Sequence, residues 1–460
     1  MRYLSIALAL AALPSWGQIR RAELPELERS LSEDLNYLAS DELGGRLPGT
    51  EQGDRAAKYI QARFEELALS GLFNGEYLQS VEIPVRGLLP EGGNQLSTGG
   101  VALELRTHYW PHVLSDNRSV EGKMTWLGYG TPNELKKAKK GVVAVMIATV
   151  PEKMAKKLGK AASLTERIRA ARALGVQGII LLQPVNGKPT LDLLRRMRPV
   201  GMPIVTVHDL AAAKNLKKQA KKSEIATLQV QVIPETTKAP NVGAWINRGA
   251  PETVIVGAHY DHVGWGEWGS RTPELAGQVH NGADDNASGT SAVLALAKHF
   301  ARMPGLEQVN LAFVLFTGEE SGLLGSRAMV ANMPEGLGKV KAMVNLDMVG
   351  RLNRSDSLRV YGAETAVEFR EMLQSIPTEA FYWDARSEIF ARSDHASFIR
   401  SGIPSVFFFT GLHEDYHAPS DDIEKLDLNG IAQVVDHVSQ FVTILAQSGP
   451  LSVQIKDDEN

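Results

Sequence analysis

Histidines and carboxylates recur in this chain just beyond runs of apolar residues. His259 and Asp261 follow Val254-Ile255-Val256-Gly257-Ala258. The pair Glu319-Glu320 follows the run 309–316. Asp347 directly ends the run 341–346, and His413, Tyr416 and His417 follow the run 405–409. A further acidic pair, Asp284-Asp285, precedes a helical pattern that begins near Ser288. In open α/β sheets, ligands bind beyond the carboxyl ends of the strands, so these groups are expected on one edge. There is no cysteine, which excludes thiolate nucleophiles, disulfides and Cys-based metal sites. Imidazole combined with carboxylate suits Zn²⁺, with Mn²⁺ or Co²⁺ as alternatives. Counting one carboxylate from each acidic pair, two histidines and three carboxylates exceed the needs of one zinc. They fit two ions sharing a bridging carboxylate, about 3.5–4 Å apart as in other two-metal hydrolases. No single residue carries this reading; the joint placement at strand ends does.

The elements that must position these groups are legible in outline. The 460 residues suffice for two or three domains. Leu24, Leu27, Leu31, Leu35 and Leu38 recur at helical spacing. The turn Gly44-Gly45-Arg46-Leu47-Pro48-Gly49-Thr50 interrupts them, and a second amphipathic helix places Ala56, Ala57, Ile60, Phe64 and Leu67 on one face. No chemistry is visible in that stretch. Buried-strand runs at 142–148, 178–182 and 203–207, with helical patterns between, predict a small separate α/β unit. From residue 252 the strand–loop–helix alternation predicts a mostly parallel central sheet with helices on both faces. The expected organisation is a leader at 1–17, a discontinuous main domain at 18–105 and 238–448, an inserted domain at 106–237, and a disordered tail at 449–460.

Arg2, the apolar run 3–13 and the small residues Ser15 and Gly17 read as a signal peptide cleaved after Gly17. The run is too short to span a bilayer, so the expected location is secreted or periplasmic, with no membrane span. The formal net charge of -4 hides an uneven distribution. Between Arg106 and Ile233, Lys and Arg outnumber Asp and Glu more than two to one. A solvated helix face explains the runs 136–140 and 217–222, and contact with an anionic envelope surface is the sharper alternative. Aromatics are not interleaved with the basic residues, so no nucleic-acid partner is expected.

Five motifs together resemble a family. They are Gly257-Ala258-His259-Tyr260-Asp261, Gly282-Ala283-Asp284-Asp285-Asn286-Ala287-Ser288-Gly289, Gly318-Glu319-Glu320-Ser321-Gly322, Asn345-Leu346-Asp347-Met348 and Tyr416-His417. In this order they resemble the zinc exopeptidases that include bacterial secreted leucyl aminopeptidases and glutamate carboxypeptidase II. The resemblance covers roughly residues 240 to 445, and Leu38-Ala39-Ser40-Asp41-Glu42-Leu43-Gly44-Gly45-Arg46 is also similar to that family. The intervening unit is similar to the protease-associated domain inserted in such peptidases.

The resemblance implies a secreted exopeptidase acting on peptides or small proteins, with two Zn²⁺ per chain. Asp285 would bridge the ions, His259 and Asp347 would complete one site, and Glu320 and His417 the other. The family often has a cis peptide after the bridging Asp, here Asp285-Asn286. Glu319 would be the general base, adjacent to a ligand yet free to reach the attacking water. Asp261 would orient the His259 imidazole. A Tyr before the motif Ser393-Asp394-His395-Ala396-Ser397, usual in the leucyl branch, is replaced by Phe390, so Tyr416 becomes the oxyanion candidate. His262, His280 and His395 read as supporting or loop residues. Aminopeptidase action is the leading expectation. Carboxypeptidase action is its rival, glutaminyl cyclase a one-zinc alternative, and a non-catalytic binding protein a third that would predict eroded ligands.

Overall fold

The computed structural model describes residues 18–183, 200–267, 269–354, 357–377, 382–386 and 393–455. The leader at 1–17, Phe390 and the last five residues lie outside them. The chain divides into two compact units, one ending at Ile83 and resuming at Thr237, the other spanning Pro84–Thr236. Among the described residues no helix is long and apolar enough to cross a membrane.

The larger unit begins with helix α1 (Leu24–Leu38), opened by Pro25 in its first turn, and α2 (Glu51–Glu66), capped by the Thr50 hydroxyl accepting from the Gly53 amide. After the second unit the chain continues through β1 (Ile233–Ile246), β2 (Glu252–His259), α3 (Gly289–Arg302), β3 (Val309–Phe316), α4 (Leu324–Ala331) and β4 (Lys339–Leu346). Then come β5 (Ser357–Tyr361), α5 (Val367–Ser375), β6 (Tyr382–Arg386), α6 (His395–Ile399), β7 (Ser405–Phe409) and α7 (Leu428–Gln447). Seven of the sheet's nine strands run in the order β1-β3-β2-β4-β7-β5-β6, and the strands Ser70–Gly71 and Leu78–Leu88 also pair with β1. Its centre, β3-β2-β4-β7, is parallel, with Val256 level with Phe313 and Val344, and Leu346 level with Phe408. The β1–β3 and β5–β7 pairs are antiparallel.

Successive residues of the central strands point to opposite faces, and both faces are covered. Val254, Val256, Leu311, Phe313 and Val344 join Leu31, Leu35, Ile60, Phe64, Val293 and Phe441 in one core. Ile255, Ala312, Val314 and Met343 join Met329 and Phe398 in a second core on the other face. This is why the strands read as unbroken apolar runs. It also fixes the carboxyl ends of β2, β3, β4 and β7 along one edge of a rigid slab.

The second unit holds an eight-stranded mixed sheet. Val143–Ile147, Gly178–Leu182 and Ile204–Val207 are strands within it, as the apolar runs predict, and they pair in parallel with one another and with Arg118–Trp126. It starts at Pro84 rather than at residue 106. Strands Gln95–Thr98 and Val101–Leu103 form a hairpin whose first strand pairs with Ile225–Val230, a contact more than a hundred residues away. The helix Leu210–Lys221 buries Ala213, Leu216 and Ala220, and Lys217, Lys218, Lys221 and Lys222 of the second basic run are exposed.

The tail is a correction. Residues 449–455 are not disordered: Val367 N–H donates to Ser452 O, Gln454 N–H to Thr365 O, and the Glu368 carboxylate accepts from the Ser452 amide. The polar composition of this stretch hides a docking that uses main-chain groups.

Candidate metal centre

The strand ends bring the predicted groups together. His259 is the last residue of β2, and Asp347 follows β4 directly. Glu319 and Glu320 lie in the turn after β3, and His417 lies in the loop after β7. Asp285 arrives from the segment before α3, where the Asp285-Asn286 peptide is cis. His259 Nε2 lies 3.4 Å from Asp285 Oδ1 and 3.3 Å from Asp347 Oδ1. On the other side, His417 Nε2 lies 3.1 Å from Asp285 Oδ2 and 2.8 Å from Glu320 Oε1. The two oxygens of Asp285 therefore face different groups. Ligand atoms of His259, Asp285 and Asp347 lie within 4.8 Å of one another, and so do those of His262, Asp285, Glu320 and His417.

Supporting hydrogen bonds fix this arrangement. Asn286 donates to Leu346 O at 3.0 Å and accepts from the amides of Gly289 and Met348, tying the Asp285 segment to the end of β4. Asp421 Oδ2 accepts from the amides of Asp284 and Asp285, and its other oxygen accepts from Arg351 at 2.9 Å. Asp284 points away from the cage and accepts from Gly350 N–H and from the Ser288 hydroxyl, with His413 Nε2 at 3.0 Å. His417 Nδ1 lies 2.7 Å from Gly269 O, which leaves Nε2 for the cage. Met348 and His417 adopt left-handed backbone angles (φ 53° and 56°), conformations that non-glycine residues hold only where their surroundings dictate them.

Asp261 meets the His259 imidazole through its main chain. Its main-chain carbonyl, not its carboxylate, is the nearer partner of His259 Nδ1, at 3.0 Å against 3.7 Å. The carboxylate instead accepts the Glu319 amide at 3.1 Å. Asp261→Ala is thus expected to leave metal content unchanged and to lower kcat by displacing Glu319, with Asp261→Asn restoring most of the loss. Measured kcat and zinc content of the two variants check this.

Arg46 is a residue the sequence did not single out. Its guanidinium is fully buried and donates to four carbonyls: Tyr260 at 2.7 Å, Leu38 at 2.5 Å, Asn281 at 2.6 Å and Gly282 at 2.9 Å. It fastens the loop after His259 to the segment before Asp285. Burial pushes its pKa down to about 10, held from falling further by Asp285, Asp261, Asp421 and Glu320, so it stays charged at neutral pH. Gly45, at φ 70°, permits the approach, since a Cβ there would lie 2.4 Å from His280 O.

The electrostatics ask for cations. Asp261, Asp285, Glu320, Asp347 and Asp394 are all buried around this point, and uncompensated buried carboxylates are costly. Burial raises Glu319 well above the usual carboxylate range, and Glu320, Asp347 and Asp394 raise it further against the pull of His259. Asp394 is pushed up to about 7 by burial. Burial would lower His417, but Glu320 and Asp285 outweigh it and hold its pKa at about 11. Burial likewise opposes protonation of His259, yet Asp347, Asp261 and Asp285 raise it well above the ordinary value. Among the described residues, Asp285 Oδ2, Asp347 Oδ1 and His417 Nε2 are buried without a hydrogen bond. Inward-facing carboxylates and imidazoles of this kind fit a pair of zinc ions.

The Tyr416 ring lies tilted against that of His417, with centroids 3.9 Å apart and planes at 33°, beside the apolar group Met348, Phe407 and Phe409. Burial and the carboxylates of Glu320, Asp285, Glu319 and Asp347 raise its hydroxyl pKa, which keeps it a neutral donor. His280 bonds within its loop, to Gln278 O and the Ser270 hydroxyl, and His395 stacks on Phe407.

Comparison with known proteins places the geometry among relatives. Residues 241–442 match the sequence profile described as Peptidase family M28. The chain is 31% identical over 227 residues to a probable leucine aminopeptidase of Arthroderma otae, covering 48% of this chain and 60% of that protein. It is 34% identical over 219 residues to leucine aminopeptidase 1 of Trichophyton rubrum, covering 43% and 56%. The match thus spans under two thirds of the length of these curated relatives. Among solved structures, an aminopeptidase from Aneurinibacillus sp. strain AM-1 aligns over 94% of this chain and 96% of its own, with a TM-score of 0.55 and 21% identity. A zinc aminopeptidase from Bacillus subtilis aligns over 93% and 98%, with a TM-score of 0.54 and 22% identity. These two likenesses show the fold.

Proposed function

We propose that the chain, whose residues 241–442 match the profile of peptidase family M28, is a secreted aminopeptidase that works with two zinc ions. The observation that carries the proposal is the division of the Asp285 carboxylate between two ligand groups, Oδ1 facing His259 and Oδ2 facing His417. His259 and Asp347 would hold one ion, Glu320 and His417 the other, with Asp285 shared. Ions held there would supply Lewis acidity and lower the pKa of the attacking water. Glu319 takes the proton from that water and returns it to the leaving amine. The Asp261 carboxylate holds the Glu319 main chain in register with the His259 loop. Tyr416 donates a hydrogen bond from its hydroxyl to the oxygen that gains charge at the scissile carbonyl. A peptide with an N-terminal leucine is the substrate of first choice, as the names of the fungal relatives suggest.

Peptides blocked at either end test the direction of attack. A leucyl peptide with an amidated C-terminus is expected to be cleaved, and its N-acetylated counterpart to survive. The reverse pattern would identify a carboxypeptidase, and pyroglutamate formation from an N-terminal glutamine would identify a cyclase.

Protons and zinc compete for the same imidazoles. With its pKa held at about 11, His417 carries a proton through the neutral range that an entering ion must displace. Each displaced proton makes the apparent affinity about tenfold weaker per unit fall in pH. Zinc affinity measured by chelator competition at pH 8 and pH 6 is expected to differ at least about 100-fold. Equal affinities at the two values would contradict the assignment.

A further inference from the structure

His262 enters the cage from the loop that carries His259 and Asp261. It is fully buried, with Nδ1 3.1 Å from Glu320 Oε1 and 3.7 Å from Asp285 Oδ2. Neither of its ring nitrogens makes a hydrogen bond among the described residues. Its ring meets that of His417 edge to face, at 5.3 Å and 85°. The same two carboxylate oxygens lie 2.8 and 3.1 Å from His417 Nε2.

Four atoms at these separations have a specific meaning. Zinc–nitrogen and zinc–oxygen bonds of about 2.0–2.2 Å at tetrahedral angles place neighbouring ligand atoms roughly 3.3–3.6 Å apart. The four measured edges, 2.8, 3.1, 3.1 and 3.7 Å, straddle that value. The His259 group supplies three ligand atoms, with edges of 3.4 and 3.3 Å from His259 to the two carboxylates. Gly282 provides an independent sign that the ring is meant to be there. A Cβ at Gly282, which sits at φ 55°, would come within 2.5 Å of the His262 ring, so the segment leading to Asp285 keeps clear the space the imidazole fills.

We infer that His262 is a fourth protein ligand, through Nδ1, to the ion held by Asp285, Glu320 and His417. The inference rests on the two-ion reading above. It makes the two positions unequal. Four protein ligands close a zinc site in the manner of structural zinc, whereas three leave a position for water or substrate. The His259–Asp285–Asp347 position is then the open one.

Zinc titration of the metal-stripped full chain, followed by chelator competition, tests this. The unaltered chain is expected to bind two ions. His262→Gln, which keeps a buried polar side chain of similar reach, is expected to bind one ion as before and the second at least 100-fold more weakly. Loss of a direct ligand should exceed the 10- to 100-fold cost of disturbing a ligand's support. X-ray absorption fine structure on the unaltered two-zinc chain gives a readout independent of any variant, with three imidazoles shared between two ions. Two imidazoles between two ions, or unchanged binding of both ions by His262→Gln, would overturn the assignment. Fewer than two ions on the unaltered chain would instead overturn the two-ion reading on which it rests.

Discussion

Glu319→Gln is expected to reduce kcat by between about a hundredfold and ten-thousandfold while zinc content stays at the level of the unaltered chain. Gln has the volume of Glu and keeps one oxygen, but it cannot accept and return a proton. The main chain at this position is held through its amide by Asp261, a contact indifferent to the side chain, so the turn after β3 is retained. The charge environment makes the effect large. Burial and the neighbouring carboxylates of Glu320, Asp347 and Asp394 raise Glu319 well above an ordinary carboxylate, and cations in the cage would draw it back down toward the range of a general base. Steady-state kinetics with a leucyl peptide and metal analysis of the same sample check this. Retained kcat would remove Glu319 from the proton-transfer role, and lost zinc would reassign it as a ligand.

Arg46→Met is expected to destabilise the protein by at least about 3 kcal/mol and to weaken zinc binding by more than tenfold. Methionine fills the space but removes a donor from four carbonyls, of which Gly282 O keeps the Ala287 amide, and each buried acceptor stripped of its partner costs about 1–3 kcal/mol. Two of the carbonyls, Asn281 and Gly282, lie just before Asp285, and a third, Tyr260, lies between His259 and Asp261. Loosening these loops separates the two ligand groups from the shared carboxylate. Arg46→Lys retains the charge but not the planar fork, so it should recover only part of the loss. Thermal unfolding and zinc affinity measured together decide the matter. A variant of normal zinc affinity would show that Arg46 serves folding alone.

The site was readable because each of its elements carries a strong local signal. Buried strands appear as apolar runs, and a charged residue immediately after such a run stands out, as His259 and Asp347 do. The cis bond at Asp285-Asn286 likewise sits where the resemblance places it. What stayed hidden depends on contacts between distant segments. Arg46 looks like one more polar residue in a glycine-rich turn, and three of its four partners are more than two hundred residues away. His262 could not be told from a loop histidine, because its partner Glu320 lies beyond the next strand. Asp261 was expected to orient His259, but which of its groups does so was not legible, since a sequence does not separate a carbonyl contact from a carboxylate one. The hairpin 95–103 lacks an apolar run of its own, so the second unit was expected to start too late.

The central claim is that this edge of the sheet holds two zinc ions through one shared aspartate. Native mass spectrometry of the full chain, stripped and then supplied with zinc, measures this directly. The expected result is a mass increase of two zinc ions, falling to one or none in Asp285→Ala, where both positions lose a ligand. A single ion on the unaltered chain, or two ions still bound by Asp285→Ala, would contradict it.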